Sequence, residues 1–178
     1  MPASPTGLVT IGARHRELSL VELQAACHQR IRENLALARR LSTAVGHSPE
    51  DVRETAQRIH RYFSVGLPLH IADEDCSIAP RLRTTSTVVS VTLEVLEVQH
   101  ETYQPLVDWL LSLLDRVVDR PDDIAAAQRM IGQTLDLLES QLLTHLELEE
   151  QAVFPALERL PLDKQADIVR EMRRRREV

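Results

Sequence analysis

A chain of 178 residues with 27 acidic against 21 basic side chains, a net charge of −6 and a 43% hydrophobic share has the size and apolar content for one domain with a buried core, which excludes an intrinsically disordered protein. The acidic balance argues against nucleic acid as a partner, and the one dense basic run, Arg173 to Arg176, is offset by Glu171 and Glu177. No stretch of about 18 uninterrupted apolar residues is present, and residues 1–16 lack the charged-then-apolar order of a signal peptide, so the expectation is a cytoplasmic protein with no membrane partner. Cys27 and Cys76 form no Cys-x-x-Cys pair, lie inside helical patterns and are read as small core or near-core residues.

Five glycines and five aromatic residues beside abundant Leu, Ala, Glu and Arg point to an all-α fold. After a leader, residues 1–18, a first helix is predicted from about Ser19 to Val45, with Leu20, Leu23, Cys27, Ile31, Leu35, Ala38 and Leu41 at helical spacing, stopping at Gly46. Ser48 is placed to cap a second helix with Pro49 at its first position, running to about Leu82 and bent by Pro68 and Gly66 just before His70. A polar link, 83–87, leads to a third helix over about 88–118, in which Leu93, Leu96, His100, Tyr103, Val107, Leu110 and Leu114 share a face and Pro105 predicts a second kink. The turn at 119–123 precedes a fourth helix whose Ile131, Leu135, Leu138, Leu142, His145, Glu149, Ala152 and Ala156 form a bundle seam. Four long helices joined by short links predict an up-down-up-down four-helix bundle over 19–160, followed by a short amphipathic helix within 161–178 that packs through Ile168, Val169 and Met172.

The second and fourth helices contain an internal repeat. His70, Glu74, Pro80 and Leu82 lie over His145, Glu149, Pro155 and Leu157 at a constant offset of 75 residues, with Asp75 over Glu150 and Ile78 over Val153. The first and third helices each contribute one inward histidine, His28 and His100. Residues four apart on a helix stand side by side on one face, so a His and a Glu at that spacing can grip one cation together. Two halves facing each other then offer two metal sites, His28 with His70 and His100 with His145, with Glu74 and Glu149 bridging both. Imidazole and carboxylate without thiolate suit iron, manganese or zinc, and bridging carboxylates in a helical bundle favour two irons about 3.5 Å apart. His47 with Asp51 shows the same spacing, so spacing alone selects little; what singles out the two repeated pairs is their place on an apolar seam, where an unpaired ionised Glu is heavily penalised. A buried ion pair of each His with its own Glu is the competing reading.

The segments "LPLHIADEDCSIAPRL" and "HLELEEQAVFPALERL" resemble the His-x-x-x-Glu segments of the hemerythrin-like family, helical bundles that carry a non-heme di-iron centre, and the likeness covers residues from about 20 to 160. The resemblance implies a metal-ligand set of His28, His70, Glu74, His100, His145 and Glu149. Where the oxygen-carrier form has a second histidine four residues on in the third helix, this chain has Gln104, and where that form has a carboxylate five residues past the last-helix histidine, this chain offers Glu149 at four and Glu150 at five.

Around this set, Tyr103 is placed to turn its hydroxyl towards a bound ligand, Glu101, Gln104 and Glu150 are candidates to support the ligands, and Asp73, Asp75 and Glu147 read mainly as solvated helix faces. His15, His47 and His60 read as surface residues, and the Arg173 to Arg176 run as a solvated cation cluster at a helix C-terminus. Three functions follow from such a site: a binding protein that holds or senses oxygen, nitric oxide, peroxide or iron; a di-iron oxidoreductase that reduces peroxide, oxygen or nitric oxide; or a metal-free helical interaction module. The pattern leaves the oligomeric state open.

Overall fold

The computed structural model describes residues 18–177, and every regular element in them is helical. The leader assigned to 1–18, His15 included, lies outside the described residues apart from Leu18. Helix α1, Leu20–Ser42, opens on a capping box: the Ser19 hydroxyl accepts from the Glu22 N–H at 3.2 Å while the Glu22 carboxylate accepts from the Ser19 N–H at 2.8 Å. It ends three residues earlier than the apolar pattern suggests. Gly46 sits in the connection at φ +72, a backbone conformation that a residue with a Cβ adopts only under strain. Ser48 caps α2 (49–82), accepting from the Asp51 N–H at 3.1 Å, and Pro49 takes the first turn, where its missing N–H costs nothing.

Pro68 does not break α2. The rod is continuous from Pro49 to Leu82, but Tyr62–Gly66 and Glu74–Ile78 wind as π turns. Each π turn precedes an α segment whose second residue is a proline, Pro68 or Pro80; the residue before that proline, Leu67 or Ala79, bonds five back, to the carbonyl of Tyr62 or Glu74. The wider turn absorbs one extra residue and lets the helix pass a residue that has no N–H to give. Helix α3, Thr87–Asp119, is capped by the Ser86 hydroxyl and runs unbroken through Pro105. A 3-10 turn, Pro121–Asp123, leads to α4 (124–158), which repeats the device of α2: Ile124–Leu148, a π turn at Glu149–Val153, then Phe154–Glu158 with Pro155 second. Helix α5, Leu162–Arg176, follows Pro161.

Helices α1 to α4 form an antiparallel ring in which α1 packs on α2 and α4, and α3 packs on the same two from the opposite side; α5 lies across α1 and the middle of α2. Two apolar clusters fill the ring. One runs from Ile31, Phe63 and Tyr103 to Val117 and Ile131; the other gathers Leu20, Ile78, Leu82, Leu96, Val153, Leu157, Ile168 and Met172. Each of the four helices passes from one cluster to the other through a short polar stretch, and those stretches contain His28, His70 with Glu74, His100, and His145 with Glu149. The bundle is therefore an apolar column interrupted by one layer of ionisable groups.

Helix α5 is held by more than its two buried residues, Ile168 and Met172. Arg175 and Arg176 reach Asp73 at 2.8 and 2.6 Å, and Arg175 also donates to the Ser77 hydroxyl at 2.6 Å. Asp73 is wholly buried, so it is not the solvated residue its sequence position suggested, and two members of the arginine run serve as its counter-ions. Cys76 is exposed and Cys27 buried, so only the latter is a core residue. Among the described residues no helix is long and apolar enough to cross a membrane.

Candidate metal centre

All six residues of the repeated pattern converge in the polar layer, and each is at least nine-tenths buried. The π turns start at the two glutamates, so Glu74 and Glu149 occupy the same place in α2 and α4, one helical turn beyond His70 and His145. Glu74 is the central group. One of its carboxylate oxygens lies 2.6 Å from His70 Nε2; the other lies 3.0 Å from His100 Nε2 and 3.8 Å from His145 Nε2. Glu149 Oε2 lies 3.0 Å from His28 Nε2 and 3.7 Å from His145 Nε2. His100 and His145 face one another with their Nε2 atoms 3.3 Å apart, and the rings of His28 and His70 meet edge to face.

Short as these distances are, His28 Nε2, His70 Nε2, Glu149 Oε2 and both Glu74 oxygens make no hydrogen bond of acceptable geometry. Buried polar atoms in this state are costly. Atoms that crowd together without pointing their hydrogens at one another are arranged around shared points, as the ligands of a cation are. The donors fall into two groups whose atoms lie within 4.8 Å of one another: His28, His70, Glu74 and Glu149, and Glu74, His100 and His145. The residues present therefore fit a pair of cations, with Glu74 common to both groups.

The outward nitrogens of three histidines have oxygen partners. His28 Nδ1 is 2.8 Å from Glu150, which also takes Arg32 Nη2 at 2.9 Å; His100 Nδ1 is 3.3 Å from Asp75; His145 Nδ1 is 3.0 Å from the Gln99 side-chain oxygen. The hydrogen bonds of His28 and His145 fix ring orientation and tautomer, whereas His100 Nδ1 makes no hydrogen bond of acceptable geometry with Asp75. Glu150 thus stands where the sequence placed a supporting group, but Glu101 and Gln104 do not: Glu101 is exposed, and Gln104 points outward and donates to Asp108 at 2.8 Å. The α3 seam alternates steps of four and three, so the position after His100 is Tyr103, and the residue four on falls outside it. Nothing in the apolar pattern marks Gln99, a polar residue on the helix flank; Asp75 is exposed, as its position suggests, and still stands beside His100. Tyr103 is buried with its ring 5.8 Å from the rings of both His100 and His145. Burial, reinforced by the nearby carboxylates, pushes its hydroxyl far above the ordinary range, so it stays protonated.

Burial also works against charge on the histidines, yet the Glu74 carboxylate lifts His70 well above its ordinary value, and Asp75 with Glu74 lifts His100 to about 9. Glu74, in turn, is held well below the usual carboxylate range despite its burial, first by the charge of His70. Two openings meet the layer. A crevice of about 10 Å³ borders Glu74, His100 and Glu149; a depression of about 380 Å³ reaches His70 from outside over Cys27, Arg30, Tyr62 and Arg176 and touches neither glutamate. Of the remaining histidines, His47 is exposed and His60 lies part-buried 3.1 Å from Asp115, both away from the layer.

Comparison with curated proteins finds no match. The sequence profile of the hemerythrin HHE cation binding domain matches residues 19–157, the span from the cap of α1 to the last buried leucine of α4. With an antiparallel four-helix ring, a fifth helix across it and a buried His/Glu layer suited to cations, the chain belongs to the hemerythrin family of HHE cation-binding domains.

Proposed function

We propose that His28, His70, Glu149 and Glu74 hold one non-heme iron ion, that His100, His145 and Glu74 hold a second, and that the protein binds or senses a small ligand, oxygen, nitric oxide or peroxide, at this pair. Imidazole and carboxylate donors without thiolate suit iron, with manganese or zinc as substitutes, and a shared carboxylate in a helical bundle favours two irons. Bound iron supplies a redox-active Lewis acid with a position for one exogenous ligand. The observation that supports a small ligand is the crevice beside Glu74, His100 and Glu149: its volume of about 10 Å³ is on the scale of a single water molecule and too small for an organic substrate. The chain's own contribution is to exclude water with the two apolar clusters, to orient two of the imidazoles through Glu150 and Gln99, to set the Asp75 carboxylate beside His100, and to keep the protonated Tyr103 against His100 and His145.

Stopped-flow mixing of the reduced, iron-loaded protein with oxygen tests this reading. A new spectrum that persists and reverses under argon supports ligand binding. Immediate irreversible oxidation, with continuous consumption of peroxide once a reductant is added, replaces it with an oxidoreductase.

The oxygen partners of the histidines lead to a further expected result. Glu150→Ala and Gln99→Ala should each weaken metal affinity by about 10- to 100-fold, the usual loss when a ligand histidine is deprived of its orienting acceptor, while Glu101→Ala, whose side chain is exposed, should leave it unchanged. Competition with a chromophoric chelator measures all three. A second result concerns protons. At pH 7 the metal-free protein carries a proton on His100, whose value is lifted to about 9, and a cation must displace it because only neutral imidazole coordinates. Calorimetric titration at pH 7 in two buffers of different ionisation enthalpy should therefore give different heats, with proton release declining as the pH passes about 9; equal heats in both buffers at pH 7 contradict the assignment.

A further inference from the structure

The outer side of α3, away from the metal layer, carries a regular apolar pattern. Val88, Val91, Val95 and Val98 are 74%, 53%, 44% and 62% exposed, and they step by three, four and three residues. The same alternation continues through Thr102 and Pro105 to Trp109, 41% exposed. The buried seam of the helix, Leu93, Leu96, His100, Tyr103, Val107 and Leu110, occupies the opposite side. Alternating steps of three and four give a repeat of 3.5 residues, which keeps one stripe facing a partner helix; from Val88 to Trp109 the stripe runs about 32 Å. On a solvated helix four valines are a poor choice, since β-branched residues lower helix propensity and a contiguous apolar strip invites association.

The charges beside the stripe make it compatible with a second copy of the same chain in one orientation only. One flank carries Glu94, Glu101 and Asp108, all exposed and seven residues apart; the other carries Thr92, Gln99 and Leu106, with no charge. If two copies paired antiparallel about a two-fold axis, acidic flank would face acidic flank, setting Glu101 against its own copy and Glu94 against Asp108. If they pair parallel, each acidic flank faces an uncharged one. Glu94 of one copy then lies near Gln99 of the other. The side-chain oxygen of Gln99 is engaged by His145, and its amide N–H groups are free to donate to that carboxylate.

We propose that two copies of this chain associate in parallel through the Val88 to Trp109 stripe of α3, Val91 against Val91 and Val98 against Val98. Sedimentation equilibrium of the iron-loaded protein in the micromolar range is expected to give twice the chain mass of 20.2 kDa. The double variant Val91→Glu with Val98→Glu is expected to sediment at the single-chain mass with its helical circular dichroism and iron content unchanged, because both side chains are exposed and lie outside the metal layer. In a Cys76→Ser background, Val91→Cys is expected to give a disulfide-linked dimer on mild oxidation. A wild-type protein of single-chain mass throughout this range, or a dimer indifferent to the two glutamates, overturns the proposal and leaves the stripe to a different chain. Cross-linking that occurs only between Val88→Cys and Trp109→Cys in a double variant overturns the parallel arrangement.

Discussion

Glu74→Gln is expected to strip the protein of both metal ions at once, whereas His70→Ala and His145→Ala should each remove one and weaken the other. The difference follows from geometry. Glu74 sends one oxygen to His70 and the other towards His100 and His145, so it alone belongs to both donor groups. Glutamine keeps the volume and loses the charge, replacing an anionic oxygen by an N–H₂ that repels a cation. In the metal-free state the same substitution leaves a buried imidazolium without its carboxylate, a change that costs about 3–5 kcal/mol when a buried pair loses one partner. The variant should therefore melt at a lower temperature even before metal is considered. Elemental analysis after anaerobic iron loading, with far-ultraviolet circular dichroism to establish that each variant is folded, separates the cases. A Glu74→Gln protein that retains as much iron as the single histidine variants contradicts the shared role.

The second large effect lies outside the metal layer. Asp73→Ala should destabilise the protein by about 2–3 kcal/mol, somewhat below the loss for a pair buried on both sides, because Arg175 and Arg176 are 23% and 34% exposed and can turn to water. The loss should be local. Helix α5 is tied to α2 through Asp73 and Ser77, and to the second apolar cluster through Ile168 and Met172. Amide exchange in 162–176 should accelerate far more than in α3 or α4. Arg81→Ala, which breaks the more exposed pair with Glu171, should cost less than about 1 kcal/mol. Uniform acceleration across all five helices contradicts the idea that Asp73 serves chiefly to dock α5.

Much of the candidate site can be read in the sequence because its signals are redundant. The constant offset of 75 residues, the His-to-Glu spacing and the apolar seam all pick out Glu74 and Glu149, and their burial is what places the pattern in a core and not on a surface. What cannot be read is whatever depends on departures from 3.6 residues per turn. The π turns leave only the prolines at 68, 80 and 155 as a trace, and a proline in a helical pattern predicts a break unless the chain can widen the preceding turn. Such a turn also shifts the angular position of everything beyond it, so the flanks of the helices are less predictable than their seams. Gln99 and Gln104 lie on α3, which has no π turn, and show a simpler limit: both flank the buried seam, and their spacing from His100 does not say that Gln99 reaches His145 while Gln104 turns outward to Asp108. The pairing of Asp73 with Arg175 and Arg176 spans about a hundred residues; sequence spacing gives no access to a contact of that kind, and a short acidic residue beside a ligand reads as solvated until the fifth helix is set over it.

The central claim, that six buried side chains from four helices clasp two cations, is tested most directly by anomalous diffraction at the iron edge from crystals of the iron-loaded protein. The account predicts two peaks about 3.5–4 Å apart, one among His28, His70 and Glu149, the other beside His100 and His145, with Glu74 between them. A single peak, or none, with these imidazoles and carboxylates hydrogen-bonded to one another, contradicts it.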